Sequence, residues 1–209
     1  MFRRTLAQLL GVVLSAAVLV APAAYAADEQ PDALIKRLAA EVLDNIKADK
    51  SVQSGDMSKV MTLVDSQIMP NVNFVRMTAS AVGRSWRQAT PEQQKRLQEE
   101  FKALLVRTYS GALAQVKDQT ISVKPLRAAA TDTEVVVRTE VIGRSDPVQL
   151  DYRLEKVGAN WKIYDLNVLG VWLVETYRTQ FAQEINAKGI DGLIASLAER
   201  NKANAAKKT

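Results

Sequence analysis

The feature that most limits how this chain can fold is a change of hydrophobic period. Up to about residue 118, apolar side chains recur every three or four positions. From about 120 to 168 they alternate every second position, and after Gly170 the helical spacing returns. A period near 3.6 buries one stripe of a helix and a period of 2 buries one face of a strand, so the elements run helices, strands, helices. A consecutive block of strands pairs as an antiparallel meander, and one sheet flanked by helices is an α+β fold. The chain therefore reads as one unit over 27–209, helical over 31–118, stranded over 120–168 and helical again over 170–204.

Within the first block, Leu34, Ile35, Leu38, Val42, Leu43 and Ile46 form one amphipathic stripe that should end near Ser54-Gly55. A second stripe, Met57, Val60, Met61, Val64 and Ile68, should stop at Met69-Pro70, because the residue before proline is pushed out of helical geometry. A short helix is expected over Phe74 to about Arg87. Thr90-Pro91-Glu92-Gln93 then opens a long helix: threonine caps it, proline takes the first helical position, and Gln93 can close a capping box. In the second block, Val148, Leu150, Tyr152 and Leu154 alternate with Gln149, Asp151, Arg153 and Glu155, a strand with one dry face. Glu134 to Ile142 and Asn160 to Val168 flank it, with Thr120 to Leu126 as an edge strand that tolerates Pro125, giving about four strands. The last block carries Val171, Val174, Tyr177, Phe181 and Ile185, a left-handed stop at Gly189 and a cap at Asp191.

The N-terminus belongs to a different kind of segment. Arg3 and Arg4, the apolar run Leu6 to Val20 and the small-residue site Ala24-Tyr25-Ala26 match a cleaved secretory signal over 1–26, too short a run for a membrane span. Its removal takes the formal net charge from +5 to +3. That balance is too modest to indicate a nucleic-acid partner. Cysteine and histidine are both absent, which removes disulfides, thiolate nucleophiles, imidazole bases and the usual zinc sites. A carboxylate or lysine is what remains for catalysis.

The residues Met69-Pro70-Asn71-Val72-Asn73-Phe74, Gly83-Arg84 with Trp86, Thr90-Pro91-Glu92-Gln93, Thr108-Tyr109, Trp161 to Leu166, Gly170-Val171, Tyr177-Arg178 and Gly189 to Ile194 fall in an order that resembles MlaC, the toluene-tolerance family of phospholipid carriers. The resemblance spans about 69–197. It implies a soluble periplasmic monomer that holds a phospholipid with its tails buried and its headgroup at the mouth, with no catalytic group, metal or cofactor. It further implies exchange of lipid between an outer-membrane lipoprotein complex with a porin and an inner-membrane ABC transporter bearing an MCE-domain ring, the Mla pathway that maintains outer-membrane asymmetry. Two positions depart from the family's habit: Asn73 stands where aspartate is frequent, and Trp172 where a small residue is usual.

A carrier also makes physical sense of the residues. Two acyl chains hold on the order of 30 methylenes, whose exposure at about 0.8 kcal/mol each would cost roughly 24 kcal/mol, so a carrier has to enclose them. The stripes that face the interior nominate Leu104, Leu105, Tyr109, Val137, Leu150, Tyr152, Leu154, Val171 and Val174 as tail-pocket wall. Met57, Met61, Met69 and Met77 are an adaptable supplement or ordinary core filling. Arg84, Arg87 and Arg178 offer guanidinium forks to a phosphate, and Trp86 and Tyr164 are amphipathic rings suited to the mouth. Two alternatives stay open. One is a cone-shaped enzyme using Asp165 as base on a small hydrophobic substrate, with a strand-end hydrogen bond or salt bridge as the plain role for that residue. The other is a periplasmic adaptor or chaperone.

Overall fold

The computed structural model describes residues 29–129, 131–144 and 146–206; the signal segment expected over 1–26 lies outside them. Five antiparallel strands form a meander in chain order: β1 (Thr120–Val123), β2 (Glu134–Ile142), β3 (Val148–Val157), β4 (Asn160–Val168) and β5 (Val171–Trp172). Helices α1 (Pro31–Ala48), α2 (Lys50–Gln53), α3 (Met57–Leu63), α4 (Phe74–Val82) and α5 (Pro91–Ala114) precede the sheet, and α6 (Leu173–Ala206) follows it. The α+β order is the one the change of period implies.

The strand count is five rather than four, and the extra strand replaces the expected start of the last helix at Val171. Leu169 (φ 53°) and Gly170 (φ 88°) both lie in the left-handed region. Two such residues make the tight turn whose twist matches paired strands, so Val171 and Trp172 fold back onto Val168 and Asn167. The first stripe is likewise divided. Asp49 leaves helical geometry, and its side chain accepts from the Ser51 N–H to cap a new turn. The stripe ending at Met69-Pro70 is helical throughout but changes winding: α3 passes into a π-helical segment, Val64–Ile68, and then a 3₁₀ turn, Met69–Asn71.

The Thr90 box is in place. Gln93 N–H donates to Thr90 Oγ1 at 3.2 Å and Thr90 N–H to Gln93 Oε1 at 3.0 Å. The Gln93 amide also donates to Asp191 Oδ1 at 2.7 Å, so Asp191 ties α6 to the start of α5. Gly189 (φ 72°, ψ −176°) divides α6 into two arms. Glu184 and Arg200 are 16 residues apart, roughly 24 Å along a straight helix, yet their side chains meet at 3.4 Å. The arms therefore fold back on each other, and Phe181, Leu193 and Leu197 share one core with Leu97 and Phe101.

The interior is not one continuous core. Helices α4, α5 and α6 bury Met77, Leu97, Phe101, Tyr177 and Phe181 together, with Phe101 edge-on to both Tyr177 and Phe181. Leu34, Ile35 and Leu38 of α1 pack on Val135, Val137, Leu154 and Ile163 of the sheet. A third cluster joins Ile46, Val52, Val60, Leu63 and Val64 to Val106 of α5.

The edge of β4 is covered in two pieces, by β5 at Asn167–Val168 and by an isolated bridge from Val72 to Ile163. Asn73 fastens that second piece. Its backbone N–H donates to Ile163 O, its Oδ1 caps α4 by accepting from the Arg76 N–H, and its amide donates to Glu155 Oε1 at 2.8 Å. Arg76 completes the clasp by pairing with Glu155 and with Glu134 (2.6 Å) while lying 3.6 Å above the Tyr164 ring. An aspartate at position 73 could cap α4 equally well but would set a second carboxylate against Glu155. Asn73→Asp is therefore expected to lower unfolding free energy by about 1–2 kcal/mol at pH 7 in denaturant titrations. The deficit should shrink as the pH falls through the carboxylate range, where a protonated partner regains a donor.

Candidate functional site

The three cores leave a hollow where they meet, with a volume of about 310 Å³. The wall of this hollow can be built element by element. On α1, Ile35, Leu38, Ala39 and Val42 stand at i, i+3, i+4 and i+7, one stripe of the helix. On α5, Lys102, Leu105, Val106, Tyr109 and Leu113 repeat the same spacing. Phe74 and Met77 of α4 and Leu173 of α6 fill in from the helical side, and Val64, Ile68, Met69 and Val72 come from the segment that winds through π and 3₁₀ geometry. Leu150 and Tyr152 alternate on β3 as strand geometry requires.

The contribution of β4 depends on an irregularity. Leu154 pairs with Ile163 but Arg153 pairs with Asp165, so Tyr164 is the extra residue of a bulge. The bulge lets Ile163 and Leu166, three apart, both face the hollow. Among the described residues that line it, Lys102 alone carries a charge. The two tyrosines stay neutral: burial pushes the phenol of Tyr152 well above its ordinary value and raises that of Tyr109. A wall of this kind offers dispersion contacts and the exclusion of water.

The structure brings Leu105, Tyr109, Leu150 and Tyr152 together around the hollow. Leu104, Val137 and Leu154 are buried behind it in the packed cores, and Val174 is half-buried against the helical core. Val171 is 52% exposed, because the turn at Leu169-Gly170 places it on β5 with its side chain in solvent rather than on a helix facing inward. Met69 and Met77 line the hollow, while Met57 and Met61 pack against the third cluster.

None of the residues nominated for the mouth belongs to the wall. Arg84, Trp86 and Arg87 lie in the 3₁₀ turn Gly83–Arg87, which packs beside α6 and Arg178. Tyr164 faces the outer side of the sheet, donating to Glu134 Oε2 at 3.1 Å beneath Arg76. Hydrogen bonding from Arg76 holds the Glu134 carboxyl below its usual range.

Asp165, 1% exposed, also lies outside the hollow. Its Oδ1 accepts from the Val174 N–H in the first turn of α6 at 3.0 Å and from the Leu166 N–H at 2.8 Å. Its Oδ2 accepts from Arg153 at 3.0 Å. Burial raises its pKa in spite of these bonds. The carboxylate has both oxygens engaged, one holding a helix start and the other an arginine, and it lies away from the cavity, which is the strand-end hydrogen bond and salt bridge of its plain role. Trp172, the other unusual residue, receives the Arg153 guanidinium over its ring at 3.9 Å, so neither departure from the family's habit touches the wall.

The sequence pattern nominated no wall residue on α1, and of the 64–72 segment it pointed to Met69 alone; Phe74, Lys102, Val106, Leu113, Ile163, Leu166 and Leu173 were not nominated either. The α1 stripe was readable in the sequence; what was missing was the knowledge that it faces a void. The bulge and the π winding left no signal in the pattern.

No helix among the described residues is long and apolar enough to cross a membrane, and no cluster of carboxylates there could hold a metal ion. Comparison with known proteins agrees with this architecture. A phospholipid-binding protein from Ralstonia solanacearum, solved in complex with a phospholipid, superposes with a TM-score of 0.81 at 50% identity, covering 83% of this chain and 98% of that one. The toluene tolerance protein ttg2D of Pseudomonas putida is 28% identical over 81% of this chain and 80% of its own length. The intermembrane phospholipid transport system binding protein MlaC of Haemophilus influenzae is 24% identical over 82% of each. Residues 36–199 match the family description of the MlaC protein, and the chain belongs to that family.

Proposed function

We propose that this chain is a periplasmic phospholipid carrier, made with a cleaved signal over 1–26 and working as a monomeric single domain over 27–209. It binds a phospholipid with the acyl chains in the hollow and carries it between membranes. The observation that carries this reading is the hollow itself: a wall almost entirely of aliphatic and aromatic side chains, in a protein of this family. Such a wall suits hydrocarbon and little else. The partners that fit are an outer-membrane lipoprotein complex, which would deliver or accept the lipid, and an inner-membrane MCE-domain ABC transporter at the other end. Carriage needs no bond to be made or broken, and no enzymatic role is assigned.

Native mass spectrometry of protein purified from a Gram-negative host, followed by solvent extraction, is expected to find phospholipid at one per chain and a polypeptide beginning at Ala27. Recovery of lipid-free protein from such cells would overturn the reading. Within the wall, Leu105→Arg is expected to lower occupancy at least fivefold. Ala39→Phe, which fills space without adding a charge, should do the same in a protein whose circular dichroism is unchanged. Val171→Arg, on the outside, should leave occupancy at the wild-type level.

Asp165 separates the carrier from the cone-shaped enzyme. Asp165→Asn keeps an oxygen for the two N–H groups and is expected to retain full lipid occupancy. Asp165→Ala removes the cap and strands Arg153, and should cost about 2–3 kcal/mol of stability by denaturant titration. The sign of the pH effect follows from the raised pKa. The buried carboxylate opposes folding above its folded-state pKa, and that opposition fades as pH falls through the folded value toward the unfolded one. The stability gap between wild type and Asp165→Asn should therefore move in favour of the wild type on acidification.

A further inference from the structure

Lys102 borders an otherwise uncharged hollow. It stands on the α5 stripe with Leu105, Val106 and Tyr109, so the carbons of its side chain run along the wall. Its ammonium group reaches water: the side chain is 27% exposed, and Nζ donates to Asp65 Oδ1 at 2.7 Å. Lysine does this at any apolar boundary, laying its stem on the greasy surface and its charge at the edge. The edge of the hollow therefore follows the seam between α5 and the Val64–Ile68 segment. Asp65 lies in that segment with its side chain 51% exposed, between Val64 and Ile68, which both face the hollow. The segment is π-helical, a winding that is rare and is found frequently at functional sites.

We propose that Lys102 receives the phosphate of the bound lipid and that Asp65 holds its place when the hollow is empty. This rests on the phospholipid reading above. Burial of the tails draws in a diacyl lipid whether or not it bears a phosphate, so preference for the phosphate has to come from a charge at the rim. Lys102 is the charge that the wall supplies. An ammonium group binds a carboxylate or a phosphate as a point charge through rotatable donors, which allows one anion to replace the other without rebuilding the site.

The test is a competition. Wild type, Lys102→Gln, Asp65→Asn and a distant control, Lys188→Gln, are stripped of lipid. Each is incubated with vesicles containing phosphatidylglycerol and diacylglycerol with identical acyl chains, then re-isolated, and both lipids are counted by mass spectrometry. The wild type should be enriched in the phosphate-bearing lipid. Lys102→Gln should lower that ratio about fivefold, and Asp65→Asn should raise it. Lys188→Gln removes the same net charge far from the wall and should leave the ratio unchanged.

A wild-type ratio in Lys102→Gln, or an equal fall in Lys188→Gln, would overturn the assignment. A millimolar addition of inorganic phosphate should leave the preference intact; if it erases the preference, the site is one for free phosphate and the headgroup role is lost. Uptake of neither lipid by the wild type would instead strike the carrier reading, which the total-lipid count reports separately.

Discussion

Hydrocarbon chains and water have to be kept apart, and the rest of this structure follows from that requirement. A hollow that can take acyl chains is space the protein does not fill with its own side chains, and such space forfeits packing contacts worth several kcal/mol. The fold compensates by surrounding the hollow with three separately packed clusters instead of relying on one continuous core. Phe101, Tyr177 and Phe181 lock the helical side, Leu34 and Ile35 with Val137 and Leu154 lock the sheet side, and Ile46, Val60 and Val106 lock the third. Each cluster lends residues to the wall from its inner surface.

Polar contacts then keep these bodies in register from outside. Asn73, Arg76, Glu134, Glu155 and Tyr164 fasten α4 to the outer face of the sheet. Asp165 and Arg153 fasten the start of α6, with Trp172 stacked beneath the arginine. Placing these charges on the far side of the sheet keeps them paired, leaves all but the buried Asp165 partly hydrated, and frees the inner face of them. Unpaired charge facing the tails would cost more than the contacts there return. Among the described residues, the one charged side chain that borders the hollow, Lys102, pairs with the half-exposed Asp65.

Much of the fold was legible because alternation and helical spacing are imposed by backbone geometry. The change of period near Gln119, the Thr90 capping box and the spans of β2 and β4 all appear where the residues put them. What eluded the sequence is local: a two-residue turn at Leu169-Gly170 that makes a strand of Val171–Trp172, and a bulge at Tyr164 that turns Ile163 and Leu166 the same way. Neither has a periodic signature. Leucine, moreover, is an unfavourable choice for a left-handed turn position.

The functional residues divide along the same line. Apolar character at Leu105, Tyr109, Leu150 and Tyr152 was enough to mark them as inward-facing, since burial follows from the period alone. Whether an inward residue meets a neighbour or an empty space depends on how three clusters fit together, and that is why Leu104 is core while Leu105 is wall. The sequence alone determined the order of elements, because the hydrophobic period reflects backbone geometry, and its motifs carried the resemblance that implied the family and its cargo. Only the tertiary structure decided where the hollow lies, which arginines stand far from it and which lysine stands at its rim, because those are distances between elements remote in the chain.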